Sequence, residues 1–191
     1  PRGGCLRFQF LYELLAVSKG NLRVTEIPLN FRSRLAGDSK LDNAVVWDWL
    51  VSLVHTATFR ILPRRAVSFG LVGLSGMVVH IGLYALLRSL GVDFFATQVV
   101  AVITAACSNY LINNALTFRS RRLRGRSLGI GLIKFLVVSS LGMAANVGVS
   151  TVVFASLEGG PIAAVAVASG ILVDFIWKYA ASSRFVWNVP Y

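Results

Sequence analysis

Three long stretches of this chain carry no formally charged residue, and they limit the possible folds more than any other feature. The uncharged stretches run from Ala66 to Leu87, from Phe94 to Phe118 and from Phe135 to Leu157. Each is long enough for the roughly 20 apolar residues that cross a hydrocarbon core about 30 Å thick. A fourth candidate runs from about Pro161 to Ser183, although Asp174 and Lys178 interrupt it. We predict four transmembrane helices, because backbone groups in lipid must find hydrogen-bond partners within their own segment.

The composition agrees with a multi-pass protein of the cell membrane. Of 191 residues, 55% are hydrophobic and only 14% are charged, whereas soluble domains carry about 25% charged residues. The net charge of +11 would suit nucleic acid in principle, but the basic residues cluster at the ends of apolar stretches, where membrane topology explains them. We therefore expect membrane lipid as their partner and no nucleic acid. Cys5 and Cys107 have no metal-like spacing and are predicted to be reduced.

The four predicted spans repeat one pattern twice. FGLVGLSGMVVHIGL (69–83) aligns with FLVVSSLGMAANVGV (135–149), and NYLINNALTF (109–118) aligns with KYAASSRFVW (178–187). Each copy contains two spans, and an even number of spans returns the chain to its starting side, so the repeats are parallel rather than inverted. The predicted fold class is mainly α, a polytopic membrane protein built as two parallel two-helix repeats. Its spans are expected at about 66–88, 94–118, 132–157 and 161–183 within a membrane domain of residues 66–191.

The first 42 residues have a different pattern from the membrane domain. Residues 6–17 have apolar side chains at helical spacing, and Gly20-Asn21 is a turn signal. Leu22–Ile27 alternates like a strand. Helix, turn and strand are typical of the end of an α/β domain, but so short a segment cannot form one alone. We interpret residues 1–42 as the C-terminal remnant of such a domain and expect its main part to precede Pro1.

Residues 43–65 are predicted to form an amphipathic helix and a linker. Trp47 and Trp49 lie close in sequence to Asp48, His55 and Arg60, which makes the segment too polar to span a membrane. A helix in the membrane interface, with its tryptophans at headgroup level, fits this composition. An amphipathic helix packed on the preceding domain is the alternative.

Basic residues near the span ends predict the orientation of the chain. The connection between the second and third spans carries Arg119, Arg121, Arg122, Arg124 and Arg126. The other connections carry only Arg88 or no basic residue. The N-terminal segment, the 119–126 loop and the C-terminus are therefore expected on the cytoplasmic side. Contact of these arginines with anionic lipid headgroups is the simplest additional role, and docking to a partner or a phosphorylated lipid is the alternative.

Six polar residues inside the predicted spans are candidates for a functional site. They are His80, Asn109, Asn113, Asn146, Asp174 and Lys178. Asp174 costs about 2.5–3.5 kcal/mol near a helix centre on insertion scales, and Lys178 lies one turn later and can pair with it. The pair either stabilises an imperfect span or contacts a lipid phosphate or a transported headgroup. The histidine and the asparagines either hydrogen-bond between helices or bind a ligand.

The tandem pattern FGLVGLSGMVVH and NYLINNALTF, repeated as FLVVSSLGMAAN and KYAASSRFVW, resembles the GtrA-like family of four-span membrane proteins. The resemblance covers about 120 residues. The second copy departs from the first, because Lys178 and Ser182 stand where the first copy has Asn109 and Asn113. The resemblance to stand-alone members implies a non-catalytic protein that assists translocation of polyprenyl-phosphate-linked sugars for cell-surface polysaccharide synthesis.

Upstream, VTEIPLNFRSRLAGDSKL (24–41) resembles the C-terminal end of family 2 glycosyltransferases that load sugar onto polyprenyl phosphate, of which the dolichol-phosphate mannose synthases are the best-known group. The resemblance implies that this segment closes the active site of a GT-A type domain. It also implies that Arg34, Ser39 and Lys40 approach the donor diphosphate or the lipid phosphate. Some members of that family carry a GtrA-like domain after this segment.

Together the two resemblances imply a function for a longer polypeptide. That polypeptide would transfer a hexose, mannose or glucose, from a nucleotide sugar to polyprenyl phosphate at the cytoplasmic leaflet. The present chain would anchor the enzyme and present the acceptor. A homo-oligomer is compatible with this role. Such transferases hold Mg²⁺ or Mn²⁺ with acidic residues, and this chain has no Asp-x-Asp motif for that purpose. We therefore expect no catalytic residue, no metal site and no glycosyl transfer from this chain alone.

Overall fold

The computed structural model of the protein describes residues 6–18, 21–28, 43–156 and 162–189. The helices are α1 (Leu6–Ser18), α2 (Asn43–Ala57), α3 (Arg64–Ser89), α4 (Phe94–Ile112), α5 (Arg126–Ser156) and α6 (Ile162–Ala181). A π-helical turn follows α4 at Asn113–Thr117, and another follows α6 at Ser182–Val186. The chain divides into two units, Pro1–Arg64 and Arg65–Tyr191.

The first unit contains α1 and α2 but no strand in its described part. Residues 21–28 are exposed and have no regular secondary structure, so the strand predicted at Leu22–Ile27 is wrong. A strand forms when its backbone groups pair with a neighbouring strand, and none of the described segments pairs with this one. The interpretation of residues 1–42 as the remnant of an α/β domain therefore stays a prediction.

The α2 helix ends in a tight turn before α3. The Arg60 backbone N–H donates to the His55 carbonyl at 2.9 Å, and Phe59 and Arg60 have φ values of 52° and 61°. The His55 Nδ1 atom lies 2.8 Å from the carbonyl oxygen of Leu62, so Nδ1 is the protonated ring nitrogen, since a carbonyl can only accept. The 15 residues of α2 are fewer than the roughly 20 needed to cross a membrane. Its place in the interface stays a prediction.

The described part of the second unit contains four helices long and apolar enough to cross a membrane, as predicted. They are Arg64–Ser89, Phe94–Thr117, Arg126–Val153 and Val165–Val186. The connection between the first two is short because both helix ends are capped. Gly91 adopts a φ of 80° after α3, which glycine tolerates without strain. At the start of α4, Asp93 Oδ1 accepts from the backbone N–H groups of Phe95 and Ala96 at 2.8 and 3.1 Å, a standard N-cap.

An aromatic core joins the two repeats at one end of the bundle. Its buried members are Phe69, Tyr110, Phe118, Phe135, Val186 and Trp187. These residues come from the start of α3, the end of α4, the start of α5 and the residues after α6, so successive helices run in opposite directions. This arrangement confirms that the two-helix repeats are parallel.

Ring contacts within this core involve equivalent residues of the two repeats. Phe69 contacts Tyr179 with ring centroids 5.8 Å apart, and the equivalent Phe135 contacts Tyr110 at 5.6 Å. Each pair joins one repeat to the other, and aromatic pairs at such distances add to packing energy beyond the area that they bury. The alignment at the sequence level therefore corresponds to a two-fold relation between the repeats.

The two π-helical turns also occupy equivalent positions. The Phe118 backbone N–H donates to the Asn113 carbonyl at 2.8 Å, and that of Trp187 donates to the Ser182 carbonyl at 3.1 Å. Asn113 and Ser182 are both buried. Turns of this kind are rare and frequently occur at functional sites.

Helix packing differs between the repeats. A Cβ atom on Gly142 would meet Asp174 and Lys178, and one on Gly170 would meet Asn146 and Ser150, so α5 and α6 pack closely through small residues. The helices α3 and α4 approach each other less closely. A cavity lined by all four helices lies within this unit.

Candidate intramembrane binding site

A cavity of about 490 Å³ lies among the four spanning helices. Its polar lining residues are His80, Asn109, Asn113, Ser139, Asp174 and Lys178. Residues 69–80 of α3 and 102–113 of the second span line it, together with Phe135 and Ser139 of α5. Phe69 and Phe135 also belong to the aromatic core, so the cavity extends from this core to the middle of the spans. Its volume falls within the range of about 300–1,000 Å³ that is usual for small-molecule sites.

Four polar atoms of this lining are buried without a hydrogen-bond partner in the described structure. They are Nε2 of His80, Oδ1 of Asn109, Oδ1 of Asn113 and Oδ1 of Asp174. A buried polar group without a partner costs several kcal/mol in an apolar medium. Four such atoms around one cavity therefore indicate a place for a polar occupant.

Asp174 and Lys178 form the ion pair that their spacing suggested. Lys178 Nζ donates to Asp174 Oδ2 at 2.8 Å, whereas Asp174 Oδ1 has no partner. The pair lowers the cost of placing both charges in the span, and both residues line the cavity, while Asp174 Oδ1 lies against Gly142 of α5. The structural and functional interpretations of this pair are thus compatible.

Glycines at equivalent positions let a polar side chain of the second span approach the first span closely in each repeat. A Cβ atom on Gly76 would collide with the side-chain amide of Asn109, and one on Gly142 would collide with the Asp174 carboxylate. In the repeat alignment Asn109 corresponds to Lys178, which lies 3.2 Å from the same position on Gly142. Each repeat thus places a polar side chain of its second span against a glycine of its first.

Of the six intramembrane residues singled out in the sequence, five line this cavity and Asn146 does not. Asn146 accepts a hydrogen bond from Ser150 Oγ at 3.3 Å and faces Gly170 of α6. It therefore serves the contact between α5 and α6, although the alignment pairs it with His80.

The arginine loop is held by Asn114. Its Oδ1 accepts from the Leu123 backbone N–H at 2.8 Å and from Trp187 Nε1 at 3.1 Å, and its Nδ2 donates to the Leu123 carbonyl at 3.1 Å. The five arginines predicted to contact lipid headgroups are exposed around this attachment: Arg119, Arg121, Arg122, Arg124 and Arg126. Their contact with lipid stays a prediction.

Arg34, Ser39 and Lys40 lie outside the described residues. Their role in phosphate binding therefore stays a prediction.

Sequence reasoning missed Asn114 and Trp187 as the residues that position the arginine loop. Both belong to the repeated motifs, where Trp187 corresponds to Phe118. A large aromatic residue retained at the same place in both copies was a signal of a shared core. The bond between Trp187 and Asn114 joins residues 73 apart in sequence, which spacing does not predict.

Four spanning helices in two parallel repeats around a polar cavity define a multi-pass membrane protein. The family described as GtrA/DPMS, transmembrane domain, matches residues 68–187, and the chain belongs to this family.

The chain also matches a dolichol-phosphate mannosyltransferase of Pyrococcus furiosus, with 29% identity over 180 residues. The match covers 94% of this chain and 49% of that protein, so the chain spans about half of the length of this relative. Because the match covers nearly the whole chain, it extends beyond the transmembrane domain into the residues before Ser68. The protein is thus a GtrA/DPMS-type membrane protein related to a dolichol-phosphate mannosyltransferase.

Proposed function

We propose that this chain is the membrane-anchoring and acceptor-presenting part of a polyprenyl-phosphate glycosyltransferase. The reaction would transfer a hexose, mannose or glucose, from a nucleotide sugar to polyprenyl phosphate at the cytoplasmic leaflet. The main support is the match to a dolichol-phosphate mannosyltransferase over 94% of the chain, because that match includes the segment upstream of the spans and not the membrane domain alone.

In this proposal residues 1–42 close a catalytic domain that precedes them, residues 43–65 lie at the membrane interface and residues 66–191 form the anchor. Arg34 would hold a phosphate with its planar guanidinium, and Lys40 would add a mobile positive charge. Ser39 would add a hydroxyl. The membrane domain keeps these residues at the surface where a lipid acceptor lies.

The divalent metal implied by the resemblance, Mg²⁺ or Mn²⁺, would belong to the catalytic domain. The described residues of this chain contain no group of three or more His, Cys, Asp or Glu side chains that could hold a metal ion.

The proposed orientation places the N-terminal segment, the 119–126 loop and the C-terminus in the cytoplasm, because the arginines concentrate at that end. The active site, the arginine loop and the acceptor phosphate would then share one membrane face. An anionic lipid headgroup near the arginines would be attracted by about 1 kcal/mol per residue.

The experiment is transfer of labelled mannose or glucose to polyprenyl phosphate by membranes that contain the full-length polypeptide. Arg34→Ala and Lys40→Ala should each reduce transfer roughly 10- to 100-fold, since a hydrogen bond to a charged group contributes about 1.5–3 kcal/mol. Arg32→Ala in the same segment is the matched control and should retain transfer. Equal rates in all three variants would refute the role assigned to Arg34 and Lys40.

A second function is favoured by the polar cavity among the spans. In this alternative the chain is non-catalytic and assists translocation of polyprenyl-phosphate-linked sugars for cell-surface polysaccharide synthesis, as a flippase component. Proteoliposomes that contain the chain should then move a fluorescent lipid-linked sugar between leaflets faster than protein-free liposomes. Equal rates with and without the chain would exclude this alternative.

A further inference from the structure

The helices α5 and α6 are held to each other at several levels and form one helix pair. Trp177 Nε1 of α6 donates to the Val138 carbonyl of α5 at 3.0 Å. A Cβ atom on Gly142 would come within 3.1 Å of the Trp177 ring, and one on Gly170 would come within 2.7 Å of the Asn146 backbone oxygen. These two helices approach each other more closely than any other two helices of the described structure. They should therefore move as a unit.

The helices α3 and α4 form the other helix pair. The short connection between them is capped by Asp93, and beside it Tyr84 contacts Phe94 with ring centroids 6.2 Å apart. Closer to the aromatic core, Gly76 lies against the side chain of Asn109. This pair is therefore held both next to its turn and near the middle of its spans.

The contacts that join one pair to the other concentrate at the aromatic core. Phe69 of α3 contacts Phe175 of α6 with ring centroids 6.3 Å apart. The Tyr110 hydroxyl of α4 donates to the Leu128 carbonyl of α5 at 2.7 Å. The chain itself passes from the first pair to the second through the 119–126 loop at this same end. The core thus has the position of a joint between two helix pairs.

Beyond the core, α3 and α6 leave one side of the cavity without close helix contact. A Cβ atom on Gly73 would meet no described atom within 4 Å. Leu74 and Met77 of α3 and Ile171 of α6 line the cavity, yet each side chain is more than half exposed on the outside of the bundle. This side of the cavity is therefore bordered by apolar side chains that face the lipid.

We propose that the two helix pairs are rigid bodies hinged at the aromatic core, and that their separation opens the cavity sideways to the bilayer between α3 and α6. Two rigid bodies with one joint are the structural basis of hinge motion. The π-helical turns at Asn113–Thr117 and Ser182–Val186 lie beside this joint, and interruptions of this kind are where helices bend. The motion does not depend on which of the two functions above is correct.

The Asp174–Lys178 ion pair keeps this hinge closed in a plain lipid bilayer. Both residues line the cavity, so separation of the helix pairs would bring hydrocarbon chains against them. Exposure of charged side chains to hydrocarbon is costly, and a polar molecule that enters the cavity removes this cost. The open arrangement is therefore rare in pure lipid, and removal of both charges should make it common.

The test measures distances between spin labels by pulsed electron paramagnetic resonance on the full chain in phosphatidylcholine nanodiscs. The background lacks Cys5 and Cys107. Labels on Leu86→Cys and Thr151→Cys report the separation of the two helix pairs far from the hinge. Labels on Thr151→Cys and Val165→Cys report a distance within the pair of α5 and α6. All three positions are exposed.

The decisive comparison removes the ion pair with Asp174→Asn and Lys178→Met, which change side-chain volume little. A longer distance between the labels on Leu86→Cys and Thr151→Cys should appear, and its fraction should exceed that in the parent protein by about tenfold. Ser140→Ala is the control, because Ser140 is exposed, and it should leave the parent distribution unchanged. Absence of the longer distance in folded double variant would overturn the proposal.

Two label pairs distinguish a hinge from general loosening. The distance within the second helix pair, between Thr151→Cys and Val165→Cys, should be unchanged by the double substitution. The distance next to the hinge, between Ser120→Cys and Phe185→Cys, should be unchanged as well, although these residues belong to different repeats. A longer component in either of these pairs, as large as that far from the hinge, would show loosening of the whole bundle and overturn the proposal.

The direction of opening is tested by the relaxation of a single spin label on Ser139→Cys, which lies in the cavity lining. Molecular oxygen concentrates in the lipid, whereas a water-soluble nickel chelate stays outside it. In the double variant, relaxation by oxygen should rise and relaxation by the chelate should stay low. A label on Leu141→Cys is the control, because Leu141 is already exposed on the bundle surface. A rise with the chelate instead of oxygen would show opening to water and overturn the sideways route.

Discussion

Phe118 and Trp187 stack face to face, with ring centroids 4.1 Å apart and ring planes 10° from parallel. They occupy the same place in the two repeats, 69 residues apart, and each closes a π-helical turn. Both are almost fully buried. The two-fold relation between the repeats therefore has its clearest contact here, next to the end of the bundle that carries the arginine loop.

The stack should contribute strongly to stability. Phe118→Ala removes a ring that packs on Trp187 and Phe69, and it should lower the free energy of unfolding by about 3–5 kcal/mol. Phe185→Ala in the same motif is the matched control, because Phe185 is 61% exposed and its loss should cost less than about 0.5 kcal/mol. The free energy of unfolding of both variants can be measured in mixed detergent micelles. Equal losses would show that the stack is not the centre of this core.

Asn114 should hold the arginine loop in place. Asn114→Ala deletes three hydrogen bonds, to both backbone groups of Leu123 and to Trp187, and should cost about 2–3 kcal/mol at roughly 1 kcal/mol per bond. Residues 122–125 should also exchange amide hydrogen faster in mass-spectrometric measurements. Asn188→Gly is the control, since Asn188 is exposed and its φ of 47° suits glycine. Unaltered exchange in Asn114→Ala would disprove the attachment.

Two glycine substitutions in α5 should distinguish a position that packs closely against α6 from a position that faces open space. Gly142→Ala places a methyl group against Asp174 and Lys178 and should destabilise the protein by about 1–3 kcal/mol through overpacking. Gly148→Ala meets no atom within 4 Å and should leave stability unchanged or raise it by about 0.4–1 kcal/mol. Thermal unfolding in nanodiscs compares the two. A stable Gly142→Ala protein would mean that α6 can move away from α5.

The orientation of the chain can be read by cysteine labelling. In a background without Cys5 and Cys107, Ser120→Cys lies in the arginine loop and Ser89→Cys lies at the end of α3. A membrane-impermeant maleimide added to intact cells should label Ser89→Cys and spare Ser120→Cys until the cells are opened. The physical reason is the concentration of arginine at the loop end. Labelling of Ser120→Cys in intact cells would reverse the orientation.

The exposed arginines should favour anionic lipid. Replacing Arg121, Arg122 and Arg124 with glutamine should weaken the preference of the reconstituted chain for phosphatidylglycerol by about 1 kcal/mol per residue. The difference should shrink in high salt, because exposed charges are screened within about 10 Å at 0.1 M ionic strength. Native mass spectrometry of bound lipid gives the measurement. A preference unaffected by the triple substitution would assign the arginines to topology alone.

The extent of successful prediction differs between the two parts of the chain. The spans were predictable because a membrane imposes length and apolarity on each helix separately. The helices α3, α4 and α5 contain most of the three uncharged stretches, and α6 follows the fourth candidate, which Asp174 and Lys178 interrupt. The prediction of a strand at Leu22–Ile27 was wrong because a strand needs more than alternating polar and apolar side chains. It also needs a neighbouring strand with which its backbone groups pair. Asp174 and Lys178 were paired correctly because residues four apart meet on one helix face.

The candidate site was only partly predictable. The sequence singled out His80, Asn109, Asn113, Asp174 and Lys178 because polar groups are costly in lipid, and these five line one cavity. The same argument singled out Asn146, which instead hydrogen-bonds within α5. Cost in lipid indicates that a polar group needs a partner, but it does not say whether the partner is a neighbouring side chain or a ligand.

The sequence by itself determined the number of spans, their parallel repeats and the membrane class of the protein, because each depends on local hydrophobicity, charge and a repeated pattern. Only the tertiary structure decided that Phe118 meets Trp187 and that Asn114 holds Leu123. It also decided that α5 and α6 pack closely and that a polar cavity lies among the four spans. These features arise from contacts between residues far apart in the chain, where side-chain shape and the space left by glycine determine which groups meet.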